Sequence, residues 1–231
     1  MKRIGLIGGV SPESTEVYVR LFNRAARARL GGEHSANFIV WHLDYGVMIE
    51  LYHRSDWNAY ADEIAKAGAA LKSAGADALM IGSNTSHVAA EALGRATGLR
   101  VIHVLDALSR AMISAGVKRP LLLGTPAVMS GAFYRPALAS RYSGEPVIPT
   151  ADEQREIGRI IFDELCLGVV TEASRRSLLA IVKAHPEADA VILGCTELCL
   201  ILSQEMMSLP VVDTTALHAE AGMAFAFGEE P

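Results

Sequence analysis

The chain has 231 residues, 51% of them hydrophobic and 20% charged, which excludes a disordered segment and gives one large domain or two small ones, each able to bury a core without staples. With 21 basic against 26 acidic side chains the net charge is −5, which argues against non-specific attachment to nucleic acid or an anionic membrane. Mean hydropathy is high at +0.26, yet no apolar run approaches the ~18 residues a membrane span needs.

Residues 4–7 form an apolar run that ends in Gly8-Gly9, which reads as a buried parallel strand. Residues 14–30 read as a helix with Arg20, Arg24, Arg27 and Arg29 on a solvated face, stopped by Gly31-Gly32. A strand is expected over 38–43, a helix over 57–73, and a strand over 78–81 that leads into Gly82-Ser83-Asn84-Thr85. A helix over 88–95, a strand over 101–104 and a helix over 107–115 follow. The pattern then restarts with a strand over 121–123 that ends in Gly124-Thr125-Pro126 and a short helix over 133–142. Next come an edge strand at 147–148 and a helix over 152–167, with Ile157, Ile160, Ile161 and Leu165 on one face. A helix over 172–184 precedes a strand over 190–193 that runs into Gly194-Cys195-Thr196-Glu197. Leu198 opens another helix, and a strand at 211–212 precedes a last helix to Phe227. This alternation means an α/β protein with parallel sheets.

Three short matches suggest an internal duplication. Residues 76–83 align with 188–195 at an offset of 112, with four of eight positions identical and serine replaced by cysteine. Residues 99–103 resemble 209–213 at an offset of 110, and 5–8 resemble 121–124 at 116. A repeat at half the chain length implies two similar Rossmann-like lobes related by a pseudo-two-fold axis. The first is placed at 1–100 plus 211–231 and the second at 101–210. In such sheets ligands bind beyond the carboxyl ends of the strands, so Ser83 and Cys195 are expected at equivalent places in a cleft between the lobes.

Two acid–base groups on opposite faces of a tetrahedral carbon can invert it, one removing a proton and the other supplying one. Cysteine suits this, since a helix N-terminus can lower its thiol pKa of about 8.5. Asn84, Thr85, Thr125 and Thr196 stand at strand ends where they can hydrogen-bond a carbanion beside a carboxylate. Cys166 and Cys199 read as structural. With an odd number of cysteines at spacings that fit no zinc site, neither a fully paired disulfide framework nor a metal centre is expected. G-x-G-x-x-G and Walker A motifs are missing, and no lysine sits in a pyridoxal-phosphate setting, so no cofactor is expected.

Gly8-Gly9-Val10-Ser11-Pro12-Glu13-Ser14-Thr15, Gly82-Ser83-Asn84-Thr85-Ser86-His87, Gly194-Cys195-Thr196-Glu197 and Asp213-Thr214-Thr215 together resemble the aspartate/glutamate racemase family. The resemblance spans nearly the whole chain. It implies cofactor-independent racemisation of aspartate or glutamate at Cα, two catalytic cysteines, an active site between two lobes and a homodimer. The second cysteine is Cys195; Ser83 stands where the family's Cys-Asn-Thr motif has the first. A serine is far less acidic than a thiol and makes a poor general base. The serine therefore marks an engineered substitution, a natural one-cysteine branch with one-sided or impaired racemisation, or a related reaction such as decarboxylation with protonation from one side. The family places a substrate-binding arginine near Arg54, which would clamp a second carboxylate. Ser11 is a candidate hydrogen-bond donor to substrate, Glu197 a charge beside Cys195 or a helix-start acceptor, and His87 a residue that tunes Ser83 or caps a polar end. His218 reads as a satisfied core histidine. A non-catalytic protein that closes on a dicarboxylic amino acid is the non-enzymatic alternative. Met1-Lys2-Arg3 opens like a signal segment, but Gly8, Gly9, Pro12 and Glu13 end the apolar stretch, so a reducing, cytoplasmic setting is expected.

Overall fold

The structure, a computed structural model, describes residues 1–229; the end of the sequence-based 211–231 segment lies outside the described residues. The chain divides into two compact units, Met1–Val104 together with the chain from Thr215 on, and Leu105–Thr214. No helix among the described residues is long and apolar enough to cross a membrane.

The first unit runs β1 (Ile4–Gly8), α1 (Pro12–Leu30), β2 (Phe38–His42), α2 (Tyr45–His53), α3 (Trp57–Ser73), β3 (Ala78–Ile81), α4 (Ala90–Thr97) and β4 (Arg100–Val101), and α5 (Val104–Ser114) begins at its boundary. The second runs through β5 (Pro120–Gly124), α6 (Pro126–Met129), α7 (Tyr134–Ala139), α8 (Ala151–Arg159), α9 (Glu172–Ala184), β6 (Ala190–Gly194) and β7 (Val211–Asp213). The final helix α10 (Thr214–Phe227) returns to the first unit. All pairings are parallel, in the orders β2-β1-β3-β4 and β5-β6-β7.

The duplication read from sequence reappears in the hydrogen-bond register. Ile4 pairs with Ala78 and Pro120 with Ala190; Leu79 pairs with Val101 and Val191 with Val211. These are the same register at the sequence offsets. Gly5 pairs with Ile39 in the first sheet, and at the matching place Leu121 makes a single bridge to Val147. The edge strand expected at 147–148 is thus reduced to one bridge. Both sheets also start with the same latch. Asp77 accepts the Arg3 N–H at 2.6 Å while its own N–H donates to the Arg3 carbonyl at 2.8 Å. Asp189 accepts the N–H groups of Lys118 and Arg119 at 2.6 and 2.9 Å, and its N–H donates to the Arg119 carbonyl at 3.1 Å.

Apolar runs without alternation bury both faces of each sheet: every residue of β1, β3, β5 and β6 is buried. In the first unit Ile64, Ala67 and Leu71 of α3 and Leu93 of α4 pack with Ile7, Leu79 and Ile81. Gly68 allows close helix contact, since a Cβ there would lie 2.2 Å from Leu93. On α10, Gly222 does the same against Met80.

Several elements differ from the sequence reading. The strand expected over 101–104 is only Arg100–Val101, because β4 pairs with just two residues of β3 and Val104 already starts α5. The helix expected over 88–95 is a 3₁₀ turn, Thr85–Ala89, followed by α4, which Gly98 closes in a left-handed conformation. The helix expected over 152–167 breaks into α8, a π-turn at Ile160–Glu164 and a 3₁₀ turn at Leu165–Leu167. Leu198 opens only one 3₁₀ turn, Leu198–Leu200. Helix α2 was not anticipated. Residues 211–213 pair with β6 and 100–101 with β3, so both unit boundaries fall later in the chain than the sequence division. Arg29 on α1 departs from a purely solvated face: it bonds Glu220 and, at 2.8 Å, Glu229.

In the second unit His185 caps α9 and lies between two carboxylates, Glu153 of the α8 capping box at 3.0 Å and Glu187 at 3.3 Å. Burial opposes its charge, but the two carboxylates prevail and raise its pKa. The stabilisation is therefore full below the unfolded histidine value of about 6.5 and is lost as pH rises through the higher folded value. We expect His185→Gln to lower stability by about 1–2 kcal/mol near pH 5.5, a charged hydrogen-bond loss. Denaturation midpoints of the two proteins should converge above neutrality; a pH-independent difference would remove the imidazolium from this role.

Candidate active site

Turns that leave adjacent strand ends carry most of the candidate residues. After β1, Gly9 is required twice over: its φ is +72°, and a Cβ there would sit 2.0 Å from the Leu43 carbonyl oxygen. The buried Ser11 caps α1, its Oγ accepting the Ser14 N–H at 3.1 Å, with Pro12 at the first helical positions. Thr15 Oγ1 donates to the Ser11 carbonyl at 3.1 Å and accepts the Gly9 N–H at 2.9 Å.

After β3 the chain presses against β1. A Cβ on Gly82 would lie 3.2 Å from the Ile7 carbonyl oxygen, and the Gly82 N–H donates to that oxygen at 2.9 Å. Half-buried Ser83 follows, its Oγ accepting the Ser86 N–H at 3.3 Å. Asn84, Thr85, Ser86 and His87 are all buried on the same turn. Tyr60 of α3 bonds Ser86 Oγ at 2.7 Å; burial pushes the Tyr60 phenol up to about 12, and the Ser86 bond opposes that shift. His87 Nδ1 lies 2.7 Å from the Ser83 carbonyl oxygen, and its Nε2 accepts the Val104 N–H at 3.2 Å. The structure thus brings Ser83, Asn84, Thr85 and His87 together, with Ser11 leaving the neighbouring strand.

Arg54 is carried by another element, at the C-terminal end of α2. Its guanidinium is 3.4 Å from Glu50, with both side chains about two-thirds exposed (64% and 69%), so this ion pair contributes little and leaves the arginine available. Its backbone is nonetheless tightly placed. Asp56 N–H bonds the Leu51 carbonyl and Ser55 N–H the Tyr52 carbonyl, a Schellman turn with Ser55 at φ +54° where glycine is usual. Asp56 then caps α3 through the Ala59 N–H at 3.1 Å.

In the second unit Thr125 ends β5 and caps α6, its Oγ1 accepting the Val128 N–H at 3.3 Å. From the neighbouring β6, Gly194 leads to Cys195, Thr196 and Glu197, all buried. The Cys195 thiol donates to Glu197 Oε2 at 2.8 Å, and Thr196 Oγ1 donates to the same oxygen at 2.9 Å. Burial pushes the Cys195 thiol well above its ordinary range, and the Glu197 carboxylate and then the neighbouring Cys166 add to the rise. This overturns the expectation of a thiol lowered by a helix N-terminus: only one 3₁₀ turn follows, and a carboxylate faces the sulfur. Glu197 therefore acts on the thiol directly.

Two neighbours of this thiol escaped the sequence reading. Cys166, read as structural, is buried and lies within electrostatic reach of Cys195. Tyr134 of α7 is fully buried; burial and then the Cys195 charge raise its phenol. The π-turn that delivers Cys166 leaves no trace in apolar spacing, and a lone tyrosine in a six-residue helix gives no periodic signal. Cys199 bonds the Thr196 carbonyl at 3.2 Å. Among the described residues no cluster of three or more histidine, cysteine or acidic side chains is arranged to hold a metal ion.

Glu197→Gln would remove the charge that opposes the thiolate while keeping a side chain of the same shape. Titration of thiolate absorbance, with Cys195→Ser as the blank, should move to lower pH, with about tenfold more thiolate for each unit by which the pKa falls. An unchanged titration would exclude Glu197 as a determinant of the thiol.

The profile of the family described as Asp/Glu/Hydantoin racemase matches residues 7–222. The broad specificity amino-acid racemase RacX of Bacillus subtilis is 24% identical over 224 residues, covering 94% of this chain and 95% of RacX. A crystal structure from Yersinia pestis, described as a candidate Asp/Glu racemase, is 37% identical with a TM-score of 0.89, covering 98% of this chain and all (100%) of that one. An aspartate racemase homologue from Pyrococcus horikoshii is 29% identical with a TM-score of 0.85 over the same shares of the two chains, 98% and 100%.

Proposed function

The chain belongs to the Asp/Glu/hydantoin racemase family, and within it we propose a cofactor-independent racemase of acidic amino acids in which Cys195 and Ser83 serve opposite faces of one substrate carbon. The observation that carries this reading is the Cys195 Sγ–H···Glu197 Oε2 bond of 2.8 Å, at the strand end that matches Ser83 in the duplicated register. Passing the thiol proton to the Glu197 carboxylate leaves a thiolate, which takes the α-proton; the electron pair left on Cα delocalises into the substrate carboxylate. In reverse, the Cys195 thiol returns a proton to Cα and recovers one from Glu197. Hydroxyls and N–H groups at the strand ends, those of Ser11, Asn84, Thr85, Thr125 and Thr196, would stabilise the charge that develops on the substrate carboxylate.

Ser83 is the weak half. Its Oγ accepts an N–H bond, but its hydroxyl is seldom ionised, so return of a proton from its face is slow. Racemisation is therefore strongly reduced, and one enantiomer exchanges its α-proton while keeping its configuration. Incubation in D₂O followed by NMR and chiral chromatography should show deuterium in one enantiomer with little inversion. Ser83→Cys should raise racemisation by roughly 10²–10⁴-fold, the contribution of one placed acid–base group. If the serine protein already interconverts both enantiomers as fast as the variant, the two-face reading fails. A single thiol also suits decarboxylation of a small dicarboxylate with protonation from the Cys195 side; release of CO₂ from a malonate without α-exchange of amino acids would select that reaction.

Arg54 is assigned to the second carboxylate of aspartate or glutamate, because its only weakly engaged guanidinium is free to grip it bidentately. Arg54→Ala in the Ser83→Cys background should cost about tenfold or more in turnover of acidic substrates relative to alanine. Equal losses on both would take specificity away from this residue. A homodimer in the cytoplasm completes the proposal; three cysteines outside any disulfide, one of which must stay reduced, suit a reducing compartment.

A further inference from the structure

We infer that His87 is a positioning residue that fixes the Ser83 turn as a neutral Nδ1–H imidazole clasp; the inference rests on the reading of Ser83 as a working face of the site. A carbonyl oxygen can only accept and a backbone N–H can only donate. The 2.7 Å contact to the Ser83 carbonyl therefore places a proton on Nδ1, and the 3.2 Å bond from the Val104 N–H requires Nε2 to be bare. Both ring nitrogens are committed, so His87 does not relay protons to substrate.

The clasp joins two informative places. One end holds the peptide of Ser83 itself. The other holds Val104, the last residue before the chain leaves the first unit. The ring is packed against His103 at 4.5 Å and His218 at 5.3 Å between centroids. His218 is likewise fixed: its Nε2 donates to the Ile102 carbonyl at 2.7 Å and its Nδ1 accepts the Tyr18 hydroxyl at 2.8 Å. Segment 102–104 is thus gripped at Ile102 by one histidine and at Val104 by another. From the α3 side, Tyr60 holds Ser86 on the same turn. Ser83 is anchored through its peptide as well as its side chain, which matters because a displacement of about 1 Å at a reacting group can cost 10²-fold.

Asparagine and glutamine at position 87 separate the two ends of the clasp. Asparagine's amide N–H falls near the place of Nδ1 and can still hold the Ser83 carbonyl. Glutamine's amide oxygen reaches toward Nε2 and can hold only the Val104 N–H. Leucine removes both bonds. In the Ser83→Cys background, where inversion is fast enough to follow, it should stay within about threefold of that background in His87→Asn and fall roughly 10–100-fold in His87→Gln and His87→Leu. KM should be little changed, and α-proton exchange from the Cys195 side should persist in all three. Parallel loss of exchange and inversion, or equal damage in His87→Asn and His87→Leu, would overturn the positioning role. A readout independent of activity accompanies these assays. In the unsubstituted protein, two-bond ¹H–¹⁵N spectra at pH 7 should give His87 the pattern of the neutral Nδ1–H tautomer; an imidazolium or Nε2–H pattern would overturn the clasp. If the tautomer is found but no amino acid exchanges its α-proton, the racemase reading fails and the clasp stands as a structural anchor of the turn.

Discussion

Lack of room for a Cβ at the ends of the central strands governs much of what lies beyond them. A side chain on Gly194 would meet the Leu123 carbonyl oxygen at 2.7 Å, and one on Gly124 would meet the Gly194 carbonyl oxygen at 3.0 Å. Gly82 stands in the same relation to Ile7. Each strand therefore hands the chain to its turn while still pressed against its neighbour. Cys195 and Ser83 inherit that placement, one residue on, with the backbone behind them fixed by parallel pairing. The aspartate latches at the opposite ends of the strands hold the same register from below.

The two units, built alike, furnish their strand ends with opposite electrostatics. The Ser83 oxygen receives a backbone N–H, the kind of donor that favours developing negative charge. The Cys195 sulfur is buried and faces a carboxylate, and burial first and the carboxylate second keep it protonated. A protonated thiol beside a proton acceptor is a reservoir: it gives a proton directly and takes one only when its neighbour has first accepted its own. The acid–base property therefore belongs to the Cys195–Glu197 pair.

What the sequence made legible follows from which forces leave a pattern. Residues 57–73 and 172–184 match the sequence reading end to end: their buried residues recur at helical spacing, and in the structure Asp56 and Thr171 cap them. Helix α2 left a weaker mark: it is short, Met48 is its single fully buried residue, and Leu51 and Tyr52 pack beside it only half-buried. The stripe Ile157, Ile160, Ile161 and Leu165 persists through the π-turn, since periodicity registers which face is buried and is blind to which carbonyl each N–H reaches. In the site, the types and order of Ser83, Cys195 and Glu197 were plain. The direction of the thiol shift was not, because burial and the approach of a carboxylate are tertiary facts. The neighbours Tyr134 and Cys166 come to Cys195 from distant parts of the chain, and only folding reveals them.

The matched registers have a consequence for descent. If an ancestral half-length chain worked as a pair of identical copies, symmetry would have placed the same side chain at both strand ends, and any substitution would have struck both at once. Joining the copies in one polypeptide removes that coupling. Position 83 and position 195 can then differ, so one end can carry a thiol beside its carboxylate while the other carries a hydroxyl that accepts an N–H bond. The two strand ends can then take on different proton affinities one residue at a time.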